Sequence, residues 1–395
     1  MSTSRARKYG YGVRRTKIVA TLGPATRNPD ILTGIIKVGA DILRLNFSHG
    51  TREEHEETIV VAREAAQRAG KEVGLLADLP GPKIRLGEIE RDKVELVRGK
   101  PVVLRVAEKA VGDDVIPVAW PGLPDAVEPG GAIHLADGTI RLRVQSISGE
   151  EIKAVVETPG IVTSHKGLNL PGANIDAPTF GPADSEWLDF AVEKGIELIA
   201  LSFVRDAADL DPVFERIRHH GADTPVIAKI EKREAVDNAE EIILRCDGGI
   251  MVARGDLGIE IEIEAVPIVQ RELLELSGRH SRPSVTATQM LASMVESPRP
   301  TRAEVTDVAN AILLGTDALM LSEETAIGNY PVEAVRMMVK IAERIEGELP
   351  YGEWLLDRTQ HDPGDVADTV SYGAVSAAYQ LGLSCLVVPS QSGRT

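Results

Sequence analysis

The sequence predicts a (β/α)₈ barrel, the TIM-barrel class of α/β folds, with a small β-rich unit inserted after its third strand. Eight short apolar runs alternate with stretches of helical period, the pattern of parallel strands joined by crossover helices. One interval, from Leu86 to about His165, lacks that period and holds β-rich runs broken by Gly and Pro turns. With that interval removed, 14–85 and 166–346 together make 253 residues, close to the ~250 typical of such a barrel.

Taken in order, the expected strands are TKIVATLG (16–23), ADILRLNFS (40–48), VGLLADL (73–79), ELIALSFV (197–204), PVIAKIE (225–231), GIMVARGD (249–256), SVTATQM (284–290) and ALMLSEE (318–324). Helical periods fall between and after them, at about 28–38, 51–69, 184–194, 206–220, 232–245, 262–279, 302–314 and 331–346. Residues 86–165 carry the runs KVELV, PVVLRV, AIHLA, TIRLRV and IKAVVET, expected to form a small β-barrel. After Gly347, a linker-like stretch leads to a helical pattern at 365–381 and a strand-like SCLVVPS at 384–390. One helix and one strand cannot bury a sheet domain, so 347–395 is expected to be part of a truncated α/β domain. Residues 1–13 are basic with no apolar run behind them, expected to be a tail rather than a secretory signal.

Composition narrows the function. The chain has 395 residues, 43% hydrophobic and 26% charged, with a net charge of -16. That balance argues against a nucleic-acid surface, which needs a basic stripe. No apolar run approaches the ~18 residues of a membrane span. Cys246 and Cys385 share no ligand or redox spacing and fit a reducing cytoplasm. Asn46-Phe47-Ser48 matches a glycosylation sequon by chance, since it ends an apolar strand pattern.

In this barrel class, chemistry sits at the C-terminal ends of the strands, and those ends are polar here. The second gives Arg44, Asn46 and Ser48; the third Asp78; the fourth Ser202; the fifth Lys229 and Glu231. The sixth gives Asp256 beside the amides of Arg254-Gly255-Asp256, the seventh Thr288 and Gln289, the eighth Ser322, Glu323 and Glu324. A structural alternative exists for some: Arg44 pairing with Asp78, and Lys229 with Glu231. Residues two apart on a strand share a face, so Lys229 and Glu231 point together. Glu231 and Asp256, on neighbouring strands, supply the one or two carboxylates that Mg²⁺ takes from protein. Lys229 beside that ion would neutralise a transferring phosphoryl group or an enolate. Arg44 and Arg85 can fork onto phosphate. Thr288 can anchor a carboxylate or pass a proton, and Lys166 in SHKGLNLPG (164–172) sits at the expected hinge of the insertion. There is no Walker A sequence, glycine-rich kinase loop or HExxH.

The strings TKIVATLGPAT, LRLNFSHGT, ADLPGPKIRLG, SHKGLNLPG, IAKIE, MVARGDLGIE, TATQMLASM, PRPTRAEVTDVANAILLGTDALMLSEETAIGNYP and SGRT resemble the pyruvate kinase family. The likeness runs almost continuously over 14–346 and more loosely over 365–395. It implies phosphoryl transfer from phosphoenolpyruvate to ADP, giving ATP and pyruvate, the last step of glycolysis, in the cytoplasm. It further implies Glu231 and Asp256 as ligands of Mg²⁺ or Mn²⁺, and Lys229 as the cation that stabilises enolate and phosphoryl. Gly255, Asp256 and Thr288 would hold the substrate carboxylate, Arg44 the phosphoryl, and Thr288 with Ser322 the proton path. Asn46, His49, Arg85, Asp137 and Lys166 match positions near the nucleotide, and the β-rich unit matches a mobile lid. The family's potassium site corresponds to Asn46, Ser48 and Asp78, but Leu79 and Lys83 stand where relatives carry Thr and Glu. The sequence is therefore similar to the potassium-independent branch, with the Lys83 ammonium in place of the ion. Glu323 replaces a usual Gly. The family forms homotetramers; with most of the C-terminal regulatory domain absent, a weakened oligomer and loss of effector binding are expected.

Overall fold

The computed structural model describes residues 14–109, 115–136, 138–173, 178–357, 366–383 and 385–388. Asp137, the expected tail 1–13, most of the expected linker and SGRT lie outside the described residues.

Eight parallel strands close into a barrel: Lys17–Thr21, Ile42–Asn46, Gly74–Asp78, Leu198–Leu201, Val226–Ile230, Ile250–Ala253, Ser284–Ala287 and Ala318–Leu321, in chain order around the ring. The first pairs with the eighth, Lys17 opposite Ala318. Period-two alternation sorts the side chains into two cores. Val19, Leu76, Ala200, Ile227, Met251, Val285, Ala318 and Met320 meet inside the barrel. The residues between them, such as Ile18, Leu75, Ile199, Ala228 and Ile250, pack outward against the helices.

The same parity places the polar ends. Two residues beyond Val19, Leu76, Ala200, Ile227 and Met320 stand Thr21, Asp78, Ser202, Lys229 and Ser322, so a polar mouth sits on an apolar floor. Local signals fix the helices. Arg52–Ala69 starts at Thr51, whose hydroxyl accepts from the Glu54 amide while Glu54 accepts from the Thr51 amide, and ends at left-handed Gly70.

Every expected strand ends earlier in the structure, the fourth, sixth, seventh and eighth by three residues each. The sixth stops at Ala253, and Arg254–Glu260 is already a helix. The seventh stops at Ala287, because Thr288 (φ 68°) and Gln289 (φ 53°) are left-handed and cannot continue a ladder. The eighth stops at Leu321, where Ser322 leads into the short helix Glu323–Ala326.

The inserted segment was expected as a closed β-barrel. Its strands instead form a six-stranded sheet, in the order Leu168–Asn169, Ala132–Leu135, Ile140–Ser148, Glu151–Thr158, Pro101–Val106, Val115–Val118, plus a separate pair of Gly160–Thr163 with Lys93–Leu96. Its own apolar core includes Leu104, Ile116, Leu142 and Ala154, and draws in Ile84, Leu168 and Leu170 from the connections. Those connections run side by side: the Leu86 amide donates to the Lys166 carbonyl at 2.9 Å and the Leu168 amide to Ile84 at 2.9 Å. Near the end of the chain, Val366–Leu381 is helical as expected. Residues 385–388 are not a strand; no described strand pairs with them, and a lone strand has no ladder to satisfy its backbone.

Candidate active site

At the mouth of the barrel a buried lattice of ion pairs and hydrogen bonds joins the ends of five strands. Asp78 sits at the centre, 1% exposed. One of its oxygens accepts from Arg44 Nε at 2.7 Å, and the other lies 3.1 Å from Lys229 Nζ. Lys229 also reaches Glu231 Oε1 at 2.9 Å and donates to Ser202 Oγ at 2.7 Å. Ser202 passes its own proton to the Leu79 carbonyl at 2.7 Å. Arg44 Nη1 donates to Thr21 Oγ1 at 3.0 Å. Both structural pairings open in the sequence, Arg44 with Asp78 and Lys229 with Glu231, are therefore present. They hold the groups in place rather than removing them from the mouth.

The electrostatics follow from this lattice. Burial works against the charge on Lys229, but Asp78 and Glu231 outweigh it, so its pKa is raised and the ammonium persists. Burial would push Asp78 up, yet Lys229 and Arg44 hold its carboxyl below the usual carboxylate range. Glu231 is pushed up by burial and by the charge of Asp256, with Lys229 opposing. The Phe203 amide donates to its Oε2 at 2.7 Å.

The Glu231 and Asp256 carboxylates are thus near enough for their charges to repel. Hard oxygen donors that repel across a gap suit a small divalent cation, and Mg²⁺ commonly takes two such carboxylates. Among the described residues no group of three or more His, Cys, Asp or Glu side chains gathers.

Beside the acidic pair, the Gly255 amide donates to Thr288 Oγ1 at 2.7 Å, and Thr288 Oγ1 donates to the Ala287 carbonyl at 2.7 Å. The residues expected to hold a carboxylate therefore meet. A left-handed β-branched residue is costly, and Thr288 is held by Arg254, which the sequence reading had given no role. Arg254 Nη2 donates to the Thr288 carbonyl at 2.8 Å and Nη1 pairs with Asp307 at 2.7 Å. Ser322 ends the adjacent strand. Glu323 is exposed.

The expected nucleotide residues form a second cluster. His49 is held below its ordinary pKa by burial, then by Arg85, Lys83, Arg44 and Lys166, so four cations surround it. Arg85 spans the hinge, donating to the Ser48 carbonyl at 3.3 Å and the His165 carbonyl at 3.2 Å. Asn46 Oδ1 accepts from the Ser48 amide at 3.2 Å. His55, missed in the sequence, places a ring nitrogen 2.8 Å from the His49 carbonyl. Lys166 is exposed. Leu79 is fully buried in the outer core, so its side chain offers no oxygen to a cation.

The chain matches the family model described as pyruvate kinase, barrel domain, over residues 13–335. It is 43% identical over 387 residues to a pyruvate kinase of Thermococcus litoralis, covering 96% of this chain and 81% of that protein. Against a Bacillus licheniformis pyruvate kinase the identity is 42% over 386 residues, covering 97% and 66%. Pyruvate kinase 2 of Synechocystis is 46% identical over 339 residues, covering 85% and 57%. The chain thus spans between about three fifths and four fifths of the length of these relatives.

Proposed function

The chain belongs to the pyruvate kinase family, and from that premise we propose that it transfers the phosphoryl group of phosphoenolpyruvate to ADP and protonates the resulting enolate to pyruvate. The observation that carries this reading is the Lys229 ammonium, buried and held at once by Asp78, Ser202 and Glu231. A fixed cation costs no reorganisation when charge develops beside it. That need arises twice here, on the phosphoryl in flight and on the enolate oxygen.

Glu231 and Asp256 would hold the divalent ion, Mg²⁺ or Mn²⁺, which would supply positive charge to offset that on the substrate oxygens. Gly255, Asp256 and Thr288 fix the substrate carboxylate. Arg44, locked by Asp78 and Thr21, presents its remaining N–H groups to the phosphoryl. His49, Arg85, Lys166 and Asn46 meet the nucleotide phosphates, and Asp137, outside the described residues, is assigned to the same site. Lys83 supplies the positive charge that potassium brings elsewhere; support comes from Leu79, which lacks an oxygen, and from Asp78, whose oxygens already meet two protein cations. The inserted unit, 86–165, acts as a lid on the barrel of 14–85 and 166–346, and 347–395 belongs to a further α/β domain. Assembly into homo-oligomers is part of the same proposal. Among the described residues no helix is long and apolar enough to cross a membrane; a cytoplasmic site of action is proposed with the glycolytic role.

A coupled assay for pyruvate with phosphoenolpyruvate, ADP and magnesium tests the reading. Turnover is expected in the unmodified protein, and Lys229→Met is expected to lose roughly 10²–10³-fold, the scale of one preorganised charge contact. Absence of turnover in the unmodified protein, or full activity in the variant, would refute it.

A further inference from the structure

Glu324 is an acid that the chemistry above does not use. It lies at the barrel mouth, 2% exposed, and among the described residues no cation pairs with it. Its two oxygens accept instead from two main-chain amides, one past the end of each of two neighbouring strands. Oε2 takes the Ser322 amide at 2.7 Å, the first peptide past the eighth strand. Oε1 takes the Leu291 amide at 3.0 Å, just past the left-handed Thr288-Gln289 pair. The next residue, Thr325, donates to the Thr21 carbonyl at 2.9 Å, tying the same turn across the seam to the first strand.

We propose that Glu324 is a positioning residue that sets the spacing of Thr288 and Ser322. One carboxylate holds the Ser322 amide itself and the Leu291 amide three residues beyond Thr288, and a carboxylate is the only side-chain group that offers an acceptor on both arms with no donor. A glutamine presents its NH₂ to one of the two amides and leaves that N–H buried without a partner.

The inference rests on the proposed function, in which the two hydroxyls serve protonation. In that step C3 of the enolate forms a C–H bond with a proton drawn from solvent through the hydroxyls. The C2–C3 double bond becomes single and C2 becomes a carbonyl. Phosphoryl transfer leans on Lys229, Arg44 and the divalent ion, which Glu324 does not touch. Loss of the clamp therefore slows protonation and spares phosphoryl transfer.

Two half-reactions are measured separately: ATP formed in a single turnover from phosphoenolpyruvate and ADP, and deuterium uptake into the methyl group of pyruvate in heavy water. For Glu324→Gln, methyl exchange and steady-state kcat are expected to fall by roughly 30–100-fold, the scale of a misplacement near 1 Å. Single-turnover ATP at saturating phosphoenolpyruvate should stay near its unmodified value, while KM for phosphoenolpyruvate rises with the displaced Thr288. Glu323→Gln, on the exposed neighbour, should change neither. Equal loss of both half-reactions, or no loss in either, overturns the proposal. Glu324→Asp, which keeps both acceptors on a shorter arm, gives the same comparison if the glutamine variant does not fold. Amide hydrogen exchange of the unmodified protein adds a check that needs no variant: Ser322 and Leu291 should exchange as slowly as the barrel strands, and rapid exchange of either overturns the clamp. An unmodified protein that makes no pyruvate would refute the functional reading instead.

Discussion

The residue that decides most at the mouth is Asp78, because three groups from other strands depend on it. Its place was visible in the sequence as the last inward position of the third strand. That it faces Arg44 and Lys229 together was not, since parity gives a face and says nothing of neighbours across the ring. Lys83 raises a separate point. If its ammonium stands in for potassium, turnover in tetramethylammonium salts should equal turnover in potassium salts, and strong activation by potassium would refute the substitution. Away from the mouth, Asp189 shows how a surface carboxylate couples to pH. The Arg216 guanidinium holds its carboxyl down to about 2, burial opposes, and His220 assists. A depressed carboxyl pKa gives stability that is fully present above the unfolded value of 3.8 and lost as pH falls through the folded one. Asp189→Asn should therefore lower the urea midpoint at pH 6, and the gap should narrow as pH falls toward 2. A gap that widened on acidification would contradict this sign. The pair is only half-buried, so solvent screens it and the effect is small.

Elements fold where local chemistry and tertiary contacts agree. Thr51-x-x-Glu54 announces a helix start, and the helix begins at Arg52. The expected single helix at 232–245 is two, Arg233–Asp237 and Ala239–Arg245. Asn238 breaks it, its Nδ2 donating to the Arg205 carbonyl at 3.0 Å, a long-range bond that no local pattern reveals. Gly249, at the entry to the sixth strand, has φ +88°, and a Cβ there would stand 2.0 Å from the Pro283 carbonyl oxygen. That carbonyl accepts from Ile250 at 2.9 Å, so it cannot retreat without breaking the pairing of the sixth and seventh strands. Gly249→Ala should cost on the order of 2–4 kcal/mol. Chemical denaturation measures this, and a loss below half a unit of that scale would show that the turn relaxes.

At the scale of the whole molecule, the barrel and the inserted unit meet where the lid connections cross the mouth. Lys232 and Glu260, both nearly buried, pair at 2.6 Å. Glu260 also lies 3.5 Å from the Gly172 amide on the returning connection. The turn holding Gly138, at the tip of the inserted sheet, rests on Ile259, where a Cβ would stand 3.0 Å from Ile259 Cγ1. Removing one partner of a buried ion pair leaves a charge without water, which costs about 3–5 kcal/mol, whereas an apolar pair of similar volume is often neutral. Glu260→Leu alone should therefore destabilise strongly, and Lys232→Met combined with Glu260→Leu should recover most of the loss. Thermal unfolding of the three proteins checks it; an additive double variant would mean the two side chains do not interact.

The sequence by itself determined the eight staves, their helices, the interruption after the third and the polar character of the strand ends. Each of these rests on periodicity and on residue type, which are local. It also placed Lys229, Glu231 and Asp256 on adjacent strands. Only the tertiary structure decided which partners share a carboxylate, where Thr288 and Gln289 leave the strand, and that Glu324 is buried while Glu323 next to it is exposed. These are matters of closure. A ring of strands brings residues hundreds of positions apart, such as Thr21 and Leu321, within a hydrogen bond of 2.8 Å, and the energy of such contacts depends on distances that a one-dimensional pattern does not contain.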